Sequence, residues 1–128
     1  MAPIITKNFG HTYLKYILAS CVLNNLFIDG AISKDWYKII GNDSAGDVNS
    51  FDPDLVYNLG SKLIFEVNAP GHPFLIKDQA GTGKKNSVKE IEKNGLSKGI
   101  IEWEPKQKGT YYYQCIKHKN MVGKIIIK

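Results

Sequence analysis

The sequence contains no arginine, only two cysteines and no long uninterrupted run of apolar residues. All 17 basic residues are lysines, and with 12 acidic residues they give a formal net charge of +5. Lysine cannot make the planar bidentate contacts to phosphates and guanine edges that specific nucleic-acid binding commonly uses, so we expect no nucleic-acid partner. Two cysteines allow at most one internal disulfide, which excludes a disulfide-rich scaffold. The 128 residues, 43% of them hydrophobic, have the length and composition of one ordinary globular domain.

The N-terminal segment, residues 1–32, differs in composition from the rest of the chain. It is mostly apolar from Tyr13 to Ile28, and leucine or valine recurs at every fourth position from 14 to 26, which predicts a helix. Such a helix spans ~24 Å, too short to cross a membrane, so we expect no membrane span. We interpret segment 1–32 as a helical extension that packs or docks. The alternative is a signal or lipoprotein segment, because Leu18-Ala19-Ser20-Cys21 resembles a bacterial lipoprotein cleavage box.

Residues 33–128 have the pattern of strands separated by turns. Short runs rich in β-branched and aromatic residues alternate with clusters of turn-forming residues. Seven such runs at regular spacing predict a mainly β domain, an antiparallel β-sandwich. Segment 78–99 is ambiguous, because Val88 and Ile91 fit one helical turn whereas Asn94-Gly95 fits a hairpin turn. The predicted strands are Trp36–Ile40, Leu55–Tyr57, Lys62–Val67, Phe74–Lys77, Ile100–Glu104, Thr110–Gln114 and Gly123–Ile127.

One glycine-rich stretch, Gly81-Thr82-Gly83-Lys84-Lys85, superficially resembles a phosphate-binding loop. That motif needs a glycine where this chain has Asp78, and a serine or threonine where it has Lys85. We therefore interpret the stretch as a flexible basic loop.

Four side chains with soft or borderline donor atoms occur in predicted turns. Cys115, His118 and Met121 are spaced three residues apart between two strands, and His72 lies between two others. A thiolate and a thioether favour the soft ion Cu(I), and imidazole binds both Cu(I) and Cu(II). Zinc is possible on affinity grounds, but the thioether suits copper better. We therefore expect one copper ion held by these four residues.

The residues around these ligands resemble the cupredoxins, the blue copper electron-transfer proteins. The Cys-x2-His-x2-Met spacing is that of the amicyanin ligand loop. Gly109–Tyr113 is similar to the family's approach to its ligand cysteine, Gly123–Ile125 to its closing strand, and Gly60–Asn68 to the strand before its first histidine. The resemblance runs from about residue 55 to residue 128.

This resemblance implies a Greek-key, cupredoxin-like β-sandwich over residues 33–128 with a type 1 copper site of two histidines, one cysteine and one methionine. It implies a one-electron carrier that cycles between Cu(I) and Cu(II). It also implies no enzymatic activity, because four protein ligands leave no open position for a substrate. The chain departs from the family directly after His72, where the usual asparagine ties the two ligand loops together. Pro73 has no N–H for this purpose, so the tie is expected from elsewhere, with Asn68 as the candidate, or is absent.

The resemblance also indicates which surface a redox partner would contact. In the family the loop histidine reaches the surface through an apolar patch, which here would comprise Pro70, Gly71, Pro73, Phe74 and Met121. Lys117 and Lys119 flank His118, so we expect a redox partner with an acidic patch. Such a carrier would act outside the cytoplasm, in the periplasm or at the cell surface.

A second class of function stays open at this point. The pattern around His72 and Cys115 is also similar to cupredoxin-like domains on surface proteins of marine microbes and their viruses. The alternative is therefore a structural surface or virion protein, associated with a capsid or tail. It would dock through residues 1–32 against copies of itself or other subunits of an assembly, and its copper binding would be vestigial or secondary.

Overall fold

The structure, a computed structural model, describes the backbone of residues 14–23 and 35–128 and the side chains from Trp36 onward. Within these ranges the chain is built from strands joined by turns. The nine strands are β1 (Leu14–Leu23), β2 (Asp35–Asp43), β3 (Gly46–Phe51), β4 (Leu55–Tyr57), β5 (Lys62–Asn68), β6 (Phe74–Lys77), β7 (Lys98–Trp103), β8 (Gly109–Cys115) and β9 (Val122–Ile127).

The strands form two sheets. One has the order β3-β2-β1-β5-β7 and the other the order β4-β9-β8-β6. The pairs β1–β5 and β4–β9 are parallel, whereas the remaining ladders between described strands are antiparallel. Parallel neighbours need a long crossover connection, and here intervening strands supply it. The predicted β-sandwich is confirmed, but its sheets are mixed and not purely antiparallel.

Residues Leu14–Leu23 form strand β1, where the four-residue repeat predicts a helix. Four is also a multiple of the two-residue strand period, and a short apolar run fits a buried strand as well as a buried helix. β1 is the middle strand of its sheet, with Leu18 opposite Ile40 of β2 and Glu66 of β5. Residues 1–13 and 24–32, the rest of the predicted extension, lie outside the described residues, as do residues 33 and 34. The boundary between residues 32 and 33 stays a prediction.

Strand β3 has no counterpart among the seven predicted strands, all of which are present. The predicted strand Trp36–Ile40 ends at Ile40, but β2 continues to Asp43 and the turn follows at Ser44-Ala45. The Asp43 carboxylate fixes this turn, because it accepts the N–H of Ala45 at 2.9 Å and the N–H of Val56 at 2.9 Å. β3 is almost entirely exposed, so it lacks the alternation of apolar residues that reveals a strand.

Aromatic side chains from both sheets fill the core. Phe74 of β6 packs edge to face on Tyr37 of β2 with ring centroids 5.0 Å apart, and it stacks on Tyr113 of β8 at 5.3 Å. All three side chains are fully buried. Such ring pairs add to the stability gained from burial alone, and close packing limits movement of the loops above them.

The ambiguous segment 78–99 is a series of turns up to residue 97, which cover the edge of β6, and its last two residues begin β7. The side chain of Asn94 bonds to the backbone of Ile76 as a neighbouring strand would, donating to its carbonyl at 2.8 Å and accepting its N–H at 2.7 Å. Gly95 donates its N–H to the Phe74 carbonyl and has a φ of 86°, which favours glycine. An edge covered in this way is not available for pairing with other chains. No helix in the described part of the chain has the length and apolar character needed to span a membrane.

Candidate metal centre

Two loops at one end of the sandwich carry the four predicted ligands. His72 lies in the connection from β5 to β6, while Cys115 ends β8 and is followed by the loop that carries His118 and Met121. β6 and β8 are antiparallel neighbours, with Phe74 directly opposite Cys115. His72 precedes Phe74 by two residues, so the register of this strand pair brings the His72 loop next to the loop that follows Cys115.

Three of the predicted ligands come together. The Sγ atom of Cys115 lies 3.7 Å from Nδ1 of His72 and 3.5 Å from Nδ1 of His118. The three donor atoms all lie within 4.8 Å of one another. Metal–nitrogen and metal–sulfur bonds of about 2.0 and 2.3 Å at a trigonal ion place nitrogen and sulfur about 3.7 Å apart. Both sulfur–nitrogen distances therefore fit those expected around a single ion bound by Cys115 and a histidine.

Met121, the fourth predicted ligand, is fully buried at the end of the same loop. Its N–H donates to the carbonyl of His118 at 3.2 Å, and its own carbonyl accepts the N–H of Cys115 at 2.9 Å. These two bonds close residues 115–121 into a compact turn. Ligation by the Met121 thioether stays a prediction.

The two ligand loops are tied together in a way that the sequence interpretation did not find. The N–H of Ile116 donates to the carbonyl of Pro73 at 3.3 Å. The buried hydroxyl of Tyr37, from the opposite sheet, lies 2.9 Å from the carbonyl oxygen of His72 and 3.0 Å from that of Pro73. One hydroxyl proton is thus shared by two acceptors. The tie between the two loops therefore comes from Ile116, and Tyr37 anchors the His72 loop to the opposite sheet, whereas Asn68, the predicted candidate, is exposed at the end of β5.

The three donors differ in their access to solvent. Cys115 is buried, His72 is half-buried and His118 is exposed. An ion bound by all three would lie beneath the surface, with His118 as its most accessible ligand. Lys117 and Lys119 are exposed on either side of His118.

The apolar patch around His118 is smaller than expected. Phe74 and Met121 are fully buried and belong to the core, so they do not reach the surface. Pro70 and Gly71 are exposed and Pro73 is half-buried. Of the predicted patch residues, those that reach the surface therefore all belong to the His72 loop.

The chemistry of the donor set fits a soft or borderline ion. Hard ions such as Mg²⁺ and Ca²⁺ prefer oxygen ligands, which this group lacks. Thiolate and imidazole together suit copper and zinc, and a trigonal arrangement of two histidines and one cysteine with a weak axial ligand is typical of copper electron-transfer sites. His72, Cys115 and His118 can therefore hold one such ion.

Gln114, which directly precedes Cys115, is a site residue that the sequence interpretation did not single out. Its side chain is fully buried, with Nε2 2.9 Å from the carbonyl oxygen of His118 and 3.1 Å from that of Cys115. A polar residue between buried neighbours on a strand ordinarily faces away from the core. Nothing in the local sequence distinguishes Gln114 from such a residue.

Comparisons with known proteins identify the fold. No protein-family model matches the chain, and no curated protein sequence matches it. A structure of the copper protein rusticyanin aligns with a TM-score of 0.59 and 19% identity, over 96% of this chain and 86% of that chain. Rusticyanin from Thiobacillus ferrooxidans aligns with a TM-score of 0.59 and 20% identity, over 91% of this chain and 78% of that chain. A methionine-to-glutamine variant of rusticyanin aligns with a TM-score of 0.61 and 20% identity, over 96% of this chain and 86% of that chain.

At these identities the likeness shows the fold. Rusticyanin is a blue copper cupredoxin. The chain therefore has a cupredoxin-like β-sandwich fold, with a His-Cys-His group of metal-binding character at one end.

Proposed function

We propose that the protein is a one-electron carrier that holds a single copper ion, cycling between Cu(I) and Cu(II). His72, Cys115 and His118 would hold the ion, and the thioether of Met121 would be its fourth, weaker ligand. The observation that supports this most directly is the convergence of one sulfur and two imidazole nitrogens within 4.8 Å of one another. Bound copper would supply the electron-transfer chemistry, and cupredoxins are generally electron carriers.

The chain's own residues hold the donors in place. The N–H of Cys115 donates to the Met121 carbonyl at 2.9 Å, and the N–H of His72 donates to the Ala69 carbonyl at 2.9 Å. The hydroxyl of Tyr37 donates to the carbonyl oxygen of His72. Ligands fixed by their surroundings move little when the charge of the ion changes, which favours fast electron transfer. Four protein ligands leave no position for a substrate, so we propose no enzymatic activity.

His118 is the proposed route for the electron, because it is the one exposed member of the described ligand group. The exposed ammonium groups of Lys117 and Lys119 make its surroundings positive, which suits a redox partner with an acidic patch. Electron-transfer encounters are small and transient, so the short apolar rim around Pro70 and Gly71 is sufficient. As part of this proposal we place the protein outside the cytoplasm, in the periplasm or at the cell surface.

A copper titration tests the proposal. Cu(II) added to the folded full-length chain is expected to give an intense visible band from thiolate-to-copper charge transfer, with a matching EPR spectrum. Cys115→Ser should abolish the band, whereas Cys21→Ser, a change at the chain's other cysteine, should keep it. A colourless titration of folded protein would reject the copper site, and a band that survives Cys115→Ser would reject the thiolate assignment.

A further inference from the structure

The carboxamide of Gln114 lies behind the loop that carries Cys115, His118 and Met121, and it is fully buried. Its Nε2 atom lies 2.9 Å from the carbonyl oxygen of His118, 3.1 Å from that of Cys115, and 3.4 Å from those of Lys119 and Met121. An amide nitrogen carries two protons, so the two short contacts are its main hydrogen bonds and the two long ones share the same protons. One side chain therefore gathers carbonyl groups from both ends of the ligand loop.

The other end of this carboxamide is anchored to the glycine-rich stretch at residues 81–83. Oε1 of Gln114 accepts the N–H of Gly81 at 3.1 Å. Gly83 donates its N–H to the carbonyl of Ile116 at 2.9 Å, so a second bond reaches the ligand loop directly. The stretch that resembles a phosphate-binding loop therefore lies against the back of the ligand loop.

Lys77 holds the glycine-rich stretch from the inside. It is only 1% exposed, which is unusual for lysine, and its Nζ donates to the carbonyl of Gly81 and, at 3.1 Å, to that of Gly83. A buried ammonium group is costly unless it keeps such acceptors. If residues 81–83 moved away from the ligand loop, the ammonium group of Lys77 would lose its carbonyl acceptors. Lys77 therefore disfavours that movement.

We propose that Gln114 is a positioning residue for the copper site, supported from behind by Lys77 and residues 81–83. It fixes the carbonyl groups of the ligand loop, so that Cys115 and His118 keep their places in the metal-free protein. The effect on bound copper rests on the proposed function. The fixed position of the ligand loop in the metal-free protein, which we call the preset loop, does not. Without the carboxamide the loop would become more mobile, and bound copper would meet a different and less uniform set of ligand positions.

Amide hydrogen exchange of the metal-free, full-length chain, followed by NMR, tests the preset loop. Gln114→Met removes both donor and acceptor, so the amides of Met121 and Gly81 should exchange about tenfold faster, the loss expected of one or two hydrogen bonds. Gln114→Glu keeps an acceptor for Gly81, so only Met121 should exchange faster. Gln107→Met, the same change at an exposed glutamine, should alter neither amide.

The amide of Ile101 in β7 serves as the reference for the fold and should keep its exchange rate in every variant. If Gln114→Met fails to fold, Gln114→Glu carries the same test. Unchanged exchange at Met121 in a folded Gln114 variant would overturn the preset loop.

Copper then tests the positioning role. With Cu(II) added, Gln114→Met should shift or broaden the thiolate band and change the reduction potential, while Gln107→Met should not. Faster exchange with an unchanged spectrum and potential would overturn the positioning role. A wild-type chain without a thiolate band would refute the proposed function itself, and the two failures are distinguishable because exchange is measured without metal.

Discussion

Asp52 is a carboxylate in a position where folding disfavours its charge. It follows β3 with a φ of 46°, and its Oδ1 accepts the N–H of Tyr37 at 2.9 Å. Burial raises the pKa of Asp52 from 3.8 to about 7, and the hydrogen bond from Tyr37 opposes this shift. Desolvation therefore outweighs the hydrogen bond, and the folded protein holds a proton at Asp52 that the unfolded chain releases.

The sign of the pH dependence follows from this difference. Between about pH 4 and pH 7 the folded state binds more protons at Asp52 than the unfolded state, so the free energy of unfolding falls as the pH rises. The two pKa values differ by about 3 pH units, which corresponds to about 4 kcal/mol at 1.36 kcal/mol per unit. Asp52 is only partly buried, and solvent screening lowers the expected loss to about 1–3 kcal/mol. The loss is absent below about pH 4 and complete above about pH 7.

Asp52→Asn isolates this effect. Asparagine keeps an oxygen that can accept the Tyr37 N–H and tolerates the left-handed φ, so the main change is the loss of the charge. Urea unfolding should show the variant more stable than wild type by about 1–3 kcal/mol at pH 8 and equal to it at pH 4. Asp47→Asn, the same change at an exposed carboxylate of β3, is the matched control and should not reproduce the gain in stability at pH 8. A difference between Asp52→Asn and wild type that stays constant from pH 4 to pH 8 would refute the reasoning.

Four further perturbations test other parts of the structure. Gly123→Ala would place a Cβ atom in steric overlap with the hydroxyl oxygen of Tyr113, so urea unfolding should show a loss of about 1–3 kcal/mol, and a loss below about 0.5 kcal/mol would contradict this packing. Met121→Leu should keep copper but shift the reduction potential in voltammetry, and an unchanged potential would mean that Met121 is not axial. Lys117→Gln combined with Lys119→Gln should slow association with an acidic redox partner and weaken its salt dependence in stopped-flow measurements; an unaltered salt dependence would argue against steering by these lysines. Removal of residues 1–23 deletes β1 from the middle of its sheet and should prevent folding, seen as lost NMR dispersion, whereas a folded truncated chain would favour a separate docking arm.

The strands of the domain could be predicted where burial leaves a local pattern. β4 and β6 have the predicted bounds, because short apolar runs there are bordered by Pro, Asn or Asp. β1 and β3 could not be identified in this way. The apolar run of β1 satisfies a helical and a strand period at once, and the exposed β3 has no apolar period at all. In the fold, β1 pairs with β2 and β5. No local sequence pattern shows these pairings.

The convergence of His72, Cys115 and His118 was predictable for a similar reason. Donor type and three-residue spacing are properties of the local sequence, and the β6–β8 register places the two loops together. The residues that support the loops could not be predicted. Tyr37 acts from a distant strand of the opposite sheet, and Gln114, although it directly precedes Cys115, has no local feature that marks its side chain as buried. The surface or virion alternative stays a prediction, since it depends on residues 1–32, of which only the backbone of residues 14–23 is described.

The positions of the metal-binding side chains therefore depend on both local and distant residues. The ligand loop supplies the donors, but Tyr37 holds the His72 loop from the opposite sheet, and Gln114 with Lys77 holds the ligand loop from behind. A seven-residue loop with only its own two backbone bonds would have many conformations in which sulfur and nitrogen lie apart. Buried groups with several acceptors each narrow that set, because every alternative conformation leaves a polar group without a partner. We therefore expect that the segment 115–121 placed on another β-sandwich would bind copper less uniformly than it does here, unless the residues that take the places of Tyr37 and Gln114 are transferred with it.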